Sequence, residues 1–276
     1  MNKKPPIYKI GAAILGPFFR WYYTPVIIGA ENIPKEGSCI LAGDHIHLYD
    51  QCHAIISTKR ALVYMAKKEY FDDWKTAWFA KGVGCIPVDR TKKDTEAVDS
   101  ALATLKDGNI LGIFPEGTRN ALKEERVKEI YDKYFNDLDY QAFSNRLNEG
   151  KPKLSQIKYL LNLYDNKKIK KADLYEMIYT PDESLRSLWK SKKISEHDYY
   201  DSLLLDFKFG TVSMAQKTNS PILPMVVTGD YHFKSKNLIV RFGSLYEVGD
   251  KDLVTANKEL REIFIKMLKE NYEMKK

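Results

Sequence analysis

SCILAGDHIHLYD, residues 38–50, joins a short apolar run to a segment with two histidines and two aspartates. The run SCILAG is short, apolar and bounded by Gly, which is typical of a buried strand. The polar segment follows directly, and the loops at strand ends carry the functional side chains of many α/β proteins. This stretch therefore predicts one strand of a sheet and, at its end, a functional site.

Other apolar runs of the same kind follow along the chain, and segments with helical character separate them. We predict strands at GCIPVD (84–89), NILGIF (109–114), PILPMVV (221–227) and NLIVRF (237–242), and helices around residues 52–80 and 94–107. Such alternation indicates an α/β fold with a mixed, largely parallel sheet flanked by helices.

Cysteine content, net charge and the length of apolar runs indicate the compartment and the partners to expect for this protein. The 276 residues include three cysteines without a CxxC pair, which favours a reducing compartment over a disulfide framework. The net charge of +7 makes an anionic partner plausible, whether nucleic acid, an anionic membrane face or a phosphorylated substrate. The sequence has neither a run of about 18 apolar residues nor a signal-peptide pattern, so we expect a soluble or peripheral protein.

The N-terminal segment, residues 1–25, is apolar and aromatic, with basic residues inside it and Lys3 and Lys4 ahead of it. This combination predicts a segment that lies in a membrane interface. The alternative is a helix packed on the domain and broken near Pro17.

Residues 121–202 have no strand signals and predict an all-helical insertion into a main domain formed by residues 26–120 and 203–276. The insertion contains a repeat with an offset of 25 residues. LLNLYDNKKIKKADLYEMI (160–178) aligns with LRSLWKSKKISEHDYYDSL (185–203). Each copy predicts a helix, a basic turn and a second helix.

Clustered histidines and aspartates permit two chemistries at the first site. Zinc is the first, but His45-x-His47-x-x-Asp50 followed by Gln51 does not match the His-x-His-x-Asp-His cluster of metallo-β-lactamase-type hydrolases. The second is a proton relay in which Asp50 orients the imidazole of His45, which acts as a base. We favour the relay, and we interpret His47 and His53 as structural or substrate-lining.

The spacing of His45 and Asp50 alone could be accidental, but three later segments support their interpretation as a functional pair. These segments are, in order, GVGCIPVDR (82–90), GIFPEGTR (112–119) and PILPMVVTG (221–229). Together with HIHLYD they resemble the four sequence blocks of the glycerolipid acyltransferase family, which includes the 1-acylglycerol-3-phosphate acyltransferases. DFKFG (206–210) is similar to the Phe-Lys-x-Gly segment of that family. The sequence departs from the family at Asp44, where Asn is usual, and at His47, where Ser is common.

The resemblance implies a role for each matching position. His45 corresponds to the general base and Asp50 to its orienting partner. The remaining matches correspond to residues that bind the phosphate and glycerol of the acceptor: Arg90, Glu116, Gly117, Thr118, Arg119 and Lys208. The implied fold is an α/β acyltransferase domain interrupted by the helical insertion. The implied reaction needs no metal and no cofactor, because a thioester is already activated.

We therefore expect a peripheral enzyme on the cytoplasmic face of a membrane. It would transfer a fatty acyl group from acyl carrier protein or coenzyme A to the sn-2 hydroxyl of 1-acylglycerol 3-phosphate, giving phosphatidate for phospholipid biosynthesis. Another lysophospholipid or a hydroxylated lipid is an alternative acceptor. A non-catalytic module that binds anionic membrane or nucleic acid is a different alternative, but the insertion has 16 basic and 15 acidic residues, so we expect no nucleic acid.

Overall fold

The structure is a computed structural model that describes residues 5–91 and 94–274. Lys3 and Lys4, predicted to flank the interfacial segment, lie outside the described residues. Contacts between Cα atoms divide the chain into two compact units. The α/β unit combines the chain up to Gly117 with the chain from Phe207 onward, and the helical unit is Thr118–Asp206.

The α/β unit is built on one seven-stranded sheet. Its strands are β1 (Val26–Ile28), β2 (Cys39–Gly43), β3 (Leu62–Lys67), β4 (Ile86–Val88), β5 (Ile110–Ile113), β6 (Ile222–Thr228) and β7 (Ile239–Phe242). Their spatial order is β1-β7-β6-β2-β5-β3-β4. Only the β6–β7 pair is antiparallel among the described pairs. The predicted mixed, largely parallel sheet is confirmed.

Helices flank this sheet, and both faces of its central strands are buried, which accounts for their uninterrupted apolar sequences. The helices of the α/β unit, numbered along the whole chain, are α1 (Pro6–Tyr23), α2 (Asp50–Ser57), α3 (Glu69–Asp72), α4 (Trp74–Gly82), α5 (Thr95–Lys106), α12 (Gly210–Thr218) and α13 (Leu253–Glu273). The main hydrophobic core cluster is formed chiefly by side chains of strands β2, β3, β5, β6 and β7, with Ala54 of α2 packed among them.

The continuous helix predicted around residues 52–80 is wrong in its middle part, where the chain forms β3. Leu62 and Tyr64 alternate with less buried residues, and the strand pairs in parallel with both β4 and β5. The stretch LVYMAK is short and rich in residues that suit a pleated surface, so tertiary pairing determines its conformation. The short edge strand β1 was also absent from the sequence-based prediction.

Helix α1 covers most of the described part of the predicted interfacial segment. It continues through Pro17, so the break expected under the alternative interpretation is not there. Its Tyr8 is buried, and the hydroxyl accepts a hydrogen bond from the backbone N of Leu62 at 3.3 Å. Most of its other large apolar side chains are exposed: Ile10, Ile14, Leu15, Phe18 and Trp21. No helix in residues 5–91 or 94–274 is long and apolar enough to cross a bilayer.

The helical unit has its own core. It consists of α6 (Glu124–Ile130), α7 (Tyr140–Glu149), α8 (Leu154–Asp165), α9 (Lys171–Met177), α10 (Pro181–Lys190) and α11 (Glu196–Asp201), with a π-helical turn at Tyr131–Phe135. The aromatic rings of Phe135 and Phe143 are fully buried and stack with centroids 4.8 Å apart. Leu160 and Leu185, which correspond in the sequence repeat, are also fully buried.

The two copies of the sequence repeat have the same turn between their helices. The first copy is α8 and α9, and the second is α10 and α11. Each turn contains a lysine in the left-handed region, with φ of +57° at Lys167 and +61° at Lys192. Equivalent hydrogen bonds close the two turns: Lys168 N to Leu163 O at 2.8 Å, and Lys193 N to Leu188 O at 2.9 Å.

The start of the second helix also repeats. The carboxylate of Asp173 accepts a hydrogen bond from the backbone N of Lys170 at 3.1 Å, and that of Asp198 accepts one from the backbone N of Ser195 at 3.0 Å. Both aspartates occupy the third helical position, as in a capping box. The 25-residue repeat in the sequence is therefore also a repeat in the structure.

Candidate active site

The candidate site lies at the carboxyl edge of the sheet in the α/β unit. Strands β2, β5 and β6 are neighbours and run parallel, so the loops that follow them meet at the same edge. The loop after β2 carries His45 and leads into α2 at Asp50. The loop after β5 carries Glu116, and the loop after β6 carries Tyr231. This is where ligands bind in open α/β sheets.

His45 and Asp50 form a hydrogen-bonded pair. The Nδ1 atom of His45 lies 2.9 Å from Oδ2 of Asp50, which is completely buried. The same oxygen accepts hydrogen bonds from the backbone N of Ile46 at 2.8 Å and of His47 at 2.7 Å. A carboxylate oxygen with these donors acts as an acceptor, so Nδ1 of His45 carries the proton and Nε2 is left as the proton-accepting atom.

The ring and backbone of His45 are held from the β5 side of the site. The imidazole stacks on the ring of Phe114 at a centroid distance of 3.9 Å and an interplanar angle of 12°. The backbone N of His45 donates to Oε1 of Glu116 at 3.0 Å, and Glu116 is buried. The side chain of His45 keeps 17% of its surface exposed, so the ring is fixed while one edge remains accessible.

A tight turn after β5 brings Lys208 beside Glu116. The backbone N of Gly117 donates to the carbonyl of Phe114 at 2.9 Å, and Gly117 has φ of +69°, which glycine adopts without strain. The backbone N of Lys208 donates to the carbonyl of Pro115 at 2.8 Å. A methyl group on Gly117 would lie 3.6 Å from Cγ of Lys208, so the stem of the exposed lysine passes over this glycine.

Tyr231, which the sequence-based prediction missed, completes the surroundings of Asp50. Its hydroxyl donates to Oδ1 of Asp50 at 2.6 Å. Its ring stacks on the imidazole of His47 with centroids 4.2 Å apart and planes inclined by 19°. Tyr231 lies two residues beyond the PILPMVVTG block, and no motif in the sequence marks it.

His53 lies behind Tyr231 and is buried. Its Nε2 atom is 2.8 Å from the Tyr231 hydroxyl. Burial lowers the pKa of His53 to about 4, although the nearby carboxylate of Asp50 acts in the opposite direction. The imidazole is therefore neutral at pH 7. The prediction that His53 is structural or substrate-lining did not include this contact with the site.

Comparison with known proteins identifies the family. A family model described as acyltransferase matches residues 25–228, which is well over half of the chain. The chain belongs to the acyltransferase family. The resemblance inferred from the four sequence blocks is confirmed.

Curated acyltransferases align with part of this chain. The 1-acyl-sn-glycerol-3-phosphate acyltransferase of Bacillus subtilis is 31% identical over 96 residues, which are 34% of this chain and 48% of that protein. The enzyme of the same name from Borreliella burgdorferi is 32% identical over 104 residues, which are 37% of this chain and 42% of that protein. The aligned part thus spans less than half the length of these relatives.

A solved acyltransferase structure has the same fold. It is the 1-acyl-sn-glycerophosphate (LPA) acyltransferase PlsC from Thermotoga maritima, which superposes with a TM-score of 0.53 at 18% sequence identity. The alignment covers 95% of this chain and 78% of that one. At this identity the likeness supports the fold alone, in agreement with the mixed sheet described above.

The acyltransferase blocks are not all brought together by the contacts described. His45, Asp50, Glu116, Gly117 and Lys208 belong to one continuous arrangement. The roles of Glu116, Gly117 and Lys208 in binding the acceptor stay predictions.

The contacts described do not link three other predicted acceptor residues to this arrangement. Arg90 is exposed and follows β4, which lies three strand spacings, about 14 Å, from β2. Thr118 and Arg119 begin the helical unit. The roles of these three residues also stay predictions.

Asp44, which replaces the usual Asn of the acyltransferase pattern, has a structural contact. Its side chain is buried, and Oδ1 accepts a hydrogen bond from the backbone N of Val227 at 2.8 Å. The bond ties the end of β2 to β6. A carboxylate at this position thereby helps to fix the loop that carries His45.

The zinc interpretation finds no support in the arrangement of potential ligands. Within residues 5–91 and 94–274, no three His, Cys, Asp or Glu side chains are grouped so that they could hold a metal ion. The two histidines after β2 make other contacts: His45 is hydrogen-bonded to Asp50, and the imidazole of His47 stacks on the ring of Tyr231.

Proposed function

We propose that this chain is an O-acyltransferase that transfers a fatty acyl group from acyl carrier protein or coenzyme A to the sn-2 hydroxyl of 1-acylglycerol 3-phosphate. The product is phosphatidate, a precursor in phospholipid biosynthesis. The observation that carries the proposal is the His45–Asp50 pair, held in one tautomer beside the Phe114–Gly117 turn. The names of the curated relatives support this acceptor.

In the proposed reaction, Nε2 of His45 takes the proton of the acceptor hydroxyl as its oxygen attacks the thioester carbonyl. The imidazolium that forms is stabilised by Asp50, which receives the Nδ1–H at 2.9 Å. The tetrahedral intermediate then collapses, the carbon–sulfur bond breaks, and the departing thiolate takes the proton from Nε2. The residue that starts as the base ends as the acid, so His45 returns to its initial state.

The acceptor phosphate requires cationic groups, and the proposal assigns this role to Lys208, Arg90 and Arg119. Lys208 is the best supported, because its stem lies over the Gly117 turn next to Glu116. Arginine binds phosphate through paired N–H groups, whereas lysine acts as a point charge. Arg90 and Arg119 rest on their positions in the sequence blocks.

The proposal includes attachment to the cytoplasmic face of a membrane, because the acceptor and product are lipids. Exposed apolar side chains on α1 support it, as does Trp74 on α4, which is 79% exposed. Helices α1 and α4 are in close contact at Gly82, the last residue of α4. A methyl group added there would lie only 2.3 Å from Cδ1 of Ile7 in α1. Tryptophan and phenylalanine with flanking lysines favour the interfacial region of a bilayer.

The decisive experiment measures lipid products by mass spectrometry. The full-length chain is incubated with a panel of lysophospholipids and with acyl carrier protein or coenzyme A thioesters. We expect phosphatidate from lysophosphatidate, no product with His45→Ala, and normal product with His197→Ala, a control in the helical unit. Near-normal turnover by folded His45→Ala refutes the mechanism. Preference for a different lysophospholipid refutes the proposed acceptor and leaves the mechanism intact.

The role of Arg119 is tested by steady-state kinetics. Arg119→Ala should weaken the use of the phosphorylated acceptor by roughly 1.5–3 kcal/mol in kcat/KM, the amount expected for one charge-assisted hydrogen bond, and should leave the KM of the acyl donor unchanged. Arg126→Ala, an exposed arginine paired with Glu129, is the matched control. An unchanged kcat/KM for the acceptor removes Arg119 from the site.

The membrane contact is tested by co-sedimentation with vesicles of phosphatidylcholine and phosphatidylglycerol. The double variant Trp74→Ala/Trp78→Ala should bind at least about tenfold more weakly, because each ring contributes apolar area to the interface. Val254→Ala removes an exposed apolar side chain from α13 and should bind normally. Equal binding by the double variant and the wild type contradicts the contribution of α4.

A further inference from the structure

The carboxylate of Asp50 is surrounded by hydrogen-bond donors on both oxygens. Oδ2 accepts bonds from Nδ1 of His45 and from two backbone amides, whereas Oδ1 accepts one from the hydroxyl of Tyr231 at 2.6 Å. The amides belong to the same loop as Asp50, but Tyr231 is 181 residues away in the sequence. Among the described residues, Tyr231 is therefore the hydrogen-bond donor that holds the Asp50 carboxylate from outside its own loop.

The direction of each hydrogen bond in this chain of contacts follows from Asp50. Because a carboxylate oxygen accepts, the Tyr231 hydroxyl must donate its proton to Oδ1. Its oxygen is then free to accept from Nε2–H of His53, which lies 2.8 Å away. The other ring nitrogen of His53, Nδ1, is buried and has no hydrogen-bond partner within residues 5–91 and 94–274, as expected for the unprotonated atom of that tautomer.

Protonation states agree with this assignment. Burial, followed by the charge of Asp50, raises the pKa of Tyr231 far above its ordinary value, so the hydroxyl keeps its proton. Burial also keeps His53 neutral. The order of donors is thus His53 Nε2–H to Tyr231 O–H to Asp50 Oδ1, with no second arrangement that satisfies all three groups.

Aromatic side chains from α1 enclose the two residues. The ring of Phe19 packs edge-on against His53 with centroids 5.2 Å apart, and the ring of Tyr23 lies 5.5 Å from that of Tyr231. His53 is completely buried. This packing limits the space for a water molecule that would replace the Tyr231 hydroxyl after its removal.

We propose that Tyr231 and His53 form a positioning relay for the acyl-transfer site, in which His53 fixes the Tyr231 hydroxyl and Tyr231 fixes the orientation of the Asp50 carboxylate toward His45. The inference rests on the proposed function. Neither residue touches the substrate in this scheme. Without the hydroxyl, Oδ1 of Asp50 loses the donor that Tyr231 supplies, and the carboxylate can rotate away from the geometry that holds the Nδ1–H of His45. Turnover should then fall while substrate binding stays intact.

The first test is Tyr231→Phe, which keeps the ring stacked on His47 and removes only the hydroxyl. We expect kcat to fall by roughly 10- to 100-fold, the range seen when a group supporting a functional residue is removed, with the KM values of both substrates within about twofold of wild type. The matched control is Tyr246→Phe, because the Tyr246 hydroxyl also donates to a carboxylate, that of Glu259, at 2.8 Å in the same unit. Tyr246→Phe should lower the thermal midpoint but not kcat.

A second pair of variants tests the relay at His53 and decides the question if Tyr231→Phe does not fold. In His53→Gln the side-chain amide can still donate to the Tyr231 hydroxyl, whereas in His53→Leu it cannot. We expect kcat of the Gln variant to remain within a few-fold of wild type and kcat of the Leu variant to fall at least about tenfold. Equal kcat values for these two variants overturn the relay.

The outcomes for Tyr231 and His45 are separable. Wild-type kcat in folded Tyr231→Phe, together with an inactive His45→Ala, refutes the relay and leaves the proposed function standing. Activity in folded His45→Ala refutes the proposed function itself. A loss of kcat in Tyr231→Phe with a raised KM for the acceptor also overturns the relay, because it assigns Tyr231 to substrate binding.

Discussion

In the α/β unit, Asp50 accepts a hydrogen bond from Tyr231, 181 residues away, whereas in the helical unit Asp173 and Asp198 accept theirs from residues three positions earlier. The same type of side chain thus joins distant parts of the chain in one unit and closes a single helical turn in the other. Loss of a distant contact disturbs a site assembled from several loops. Loss of a local contact weakens one helix start.

The largest difference between the units is expected for Asp50→Ala against Asp198→Ala. Asp50→Ala leaves four donors without an acceptor, and an unpaired buried donor costs about 1–3 kcal/mol. We expect the free energy of unfolding of the α/β unit to fall by about 4 kcal/mol or more and activity to be lost. Asp198→Ala should cost the helical unit about 1 kcal/mol.

Hydrogen exchange of peptides from each unit, measured by mass spectrometry, reports the two effects separately. The wild-type chain and the charge-preserving variant Asp50→Glu serve as references. Equal losses of protection in the two units would contradict the distinction between long-range and local carboxylate contacts.

The same distinction explains how much of the molecule could be predicted from its sequence. The strands β2, β4, β5, β6 and β7 were predicted because each has a local apolar run bounded by turn residues. The pairing of His45 with Asp50 was accessible because only five residues separate them. Tyr231 and His53 were not, since they meet only after β6 has paired with β2, and no local pattern records that register. Strand β3 was missed because its conformation depends on neighbouring strands.

The helical unit was accessible to sequence analysis for a different reason. Its two copies of helix, turn and helix repeat the residues that close the turn and begin the next helix, and these contacts lie within a few positions. Because the repeated contacts are local, they appear in the amino-acid sequence as a repeat of the same residue types. The packing of Phe135 on Phe143 was not predicted, because both lie outside the repeat.

Structural equivalence of the copies predicts equivalent losses from Leu163→Ala and Leu188→Ala. The two leucines correspond in the repeat, are 2% and 3% exposed, and accept the hydrogen bond that closes the turn through their carbonyl groups. Each variant should lower the free energy of unfolding of the helical unit by about 2–5 kcal/mol, with similar values for the two. Hydrogen exchange of the α/β unit should not change. A loss confined to one copy would show that the copies are not energetically equivalent.

Acid should destabilise the two units in different pH ranges. The folded pKa of His53, about 4, lies below the unfolded value of 6.5. Between these values the unfolded chain binds a proton that the folded chain does not, so the stability that the neutral His53 contributes to the α/β unit is fully present above pH 6.5 and is lost as the pH falls toward 4. The loss attributable to His53 is on the order of 3 kcal/mol.

The helical unit has a corresponding group in Asp182. Burial alone would raise the pKa of this carboxyl, but hydrogen bonds from Gln156 and Tyr199, together with Arg186, outweigh it and lower the pKa below 3.8. The stability that Asp182 contributes is therefore retained above its unfolded pKa and lost only below about pH 3.8.

Urea unfolding followed by hydrogen exchange at pH 7.5 and 5.0 tests this difference. The lower pH should destabilise the α/β unit alone, and His53→Gln should reduce that destabilisation. An equal effect in His53→Gln would exclude His53 as the cause.

The smallest expected effect tests the repeated turns and has the opposite sign. Lys167 and Lys192 adopt positive φ, which costs a non-glycine residue roughly 1 kcal/mol. Glycine removes this cost but also gives the unfolded chain more conformational freedom. Lys167→Gly and Lys192→Gly should therefore each stabilise the helical unit by about 0.5 kcal/mol. Lys168→Gly is the matched control, because it removes the same charge at the next position, where φ is not positive. It should destabilise by a similar amount. The measurement is the thermal midpoint of each of the three variants. If Lys167→Gly and Lys192→Gly both melt below the wild type, the lysine side chains stabilise these turns through contacts that outweigh the cost of the backbone conformation.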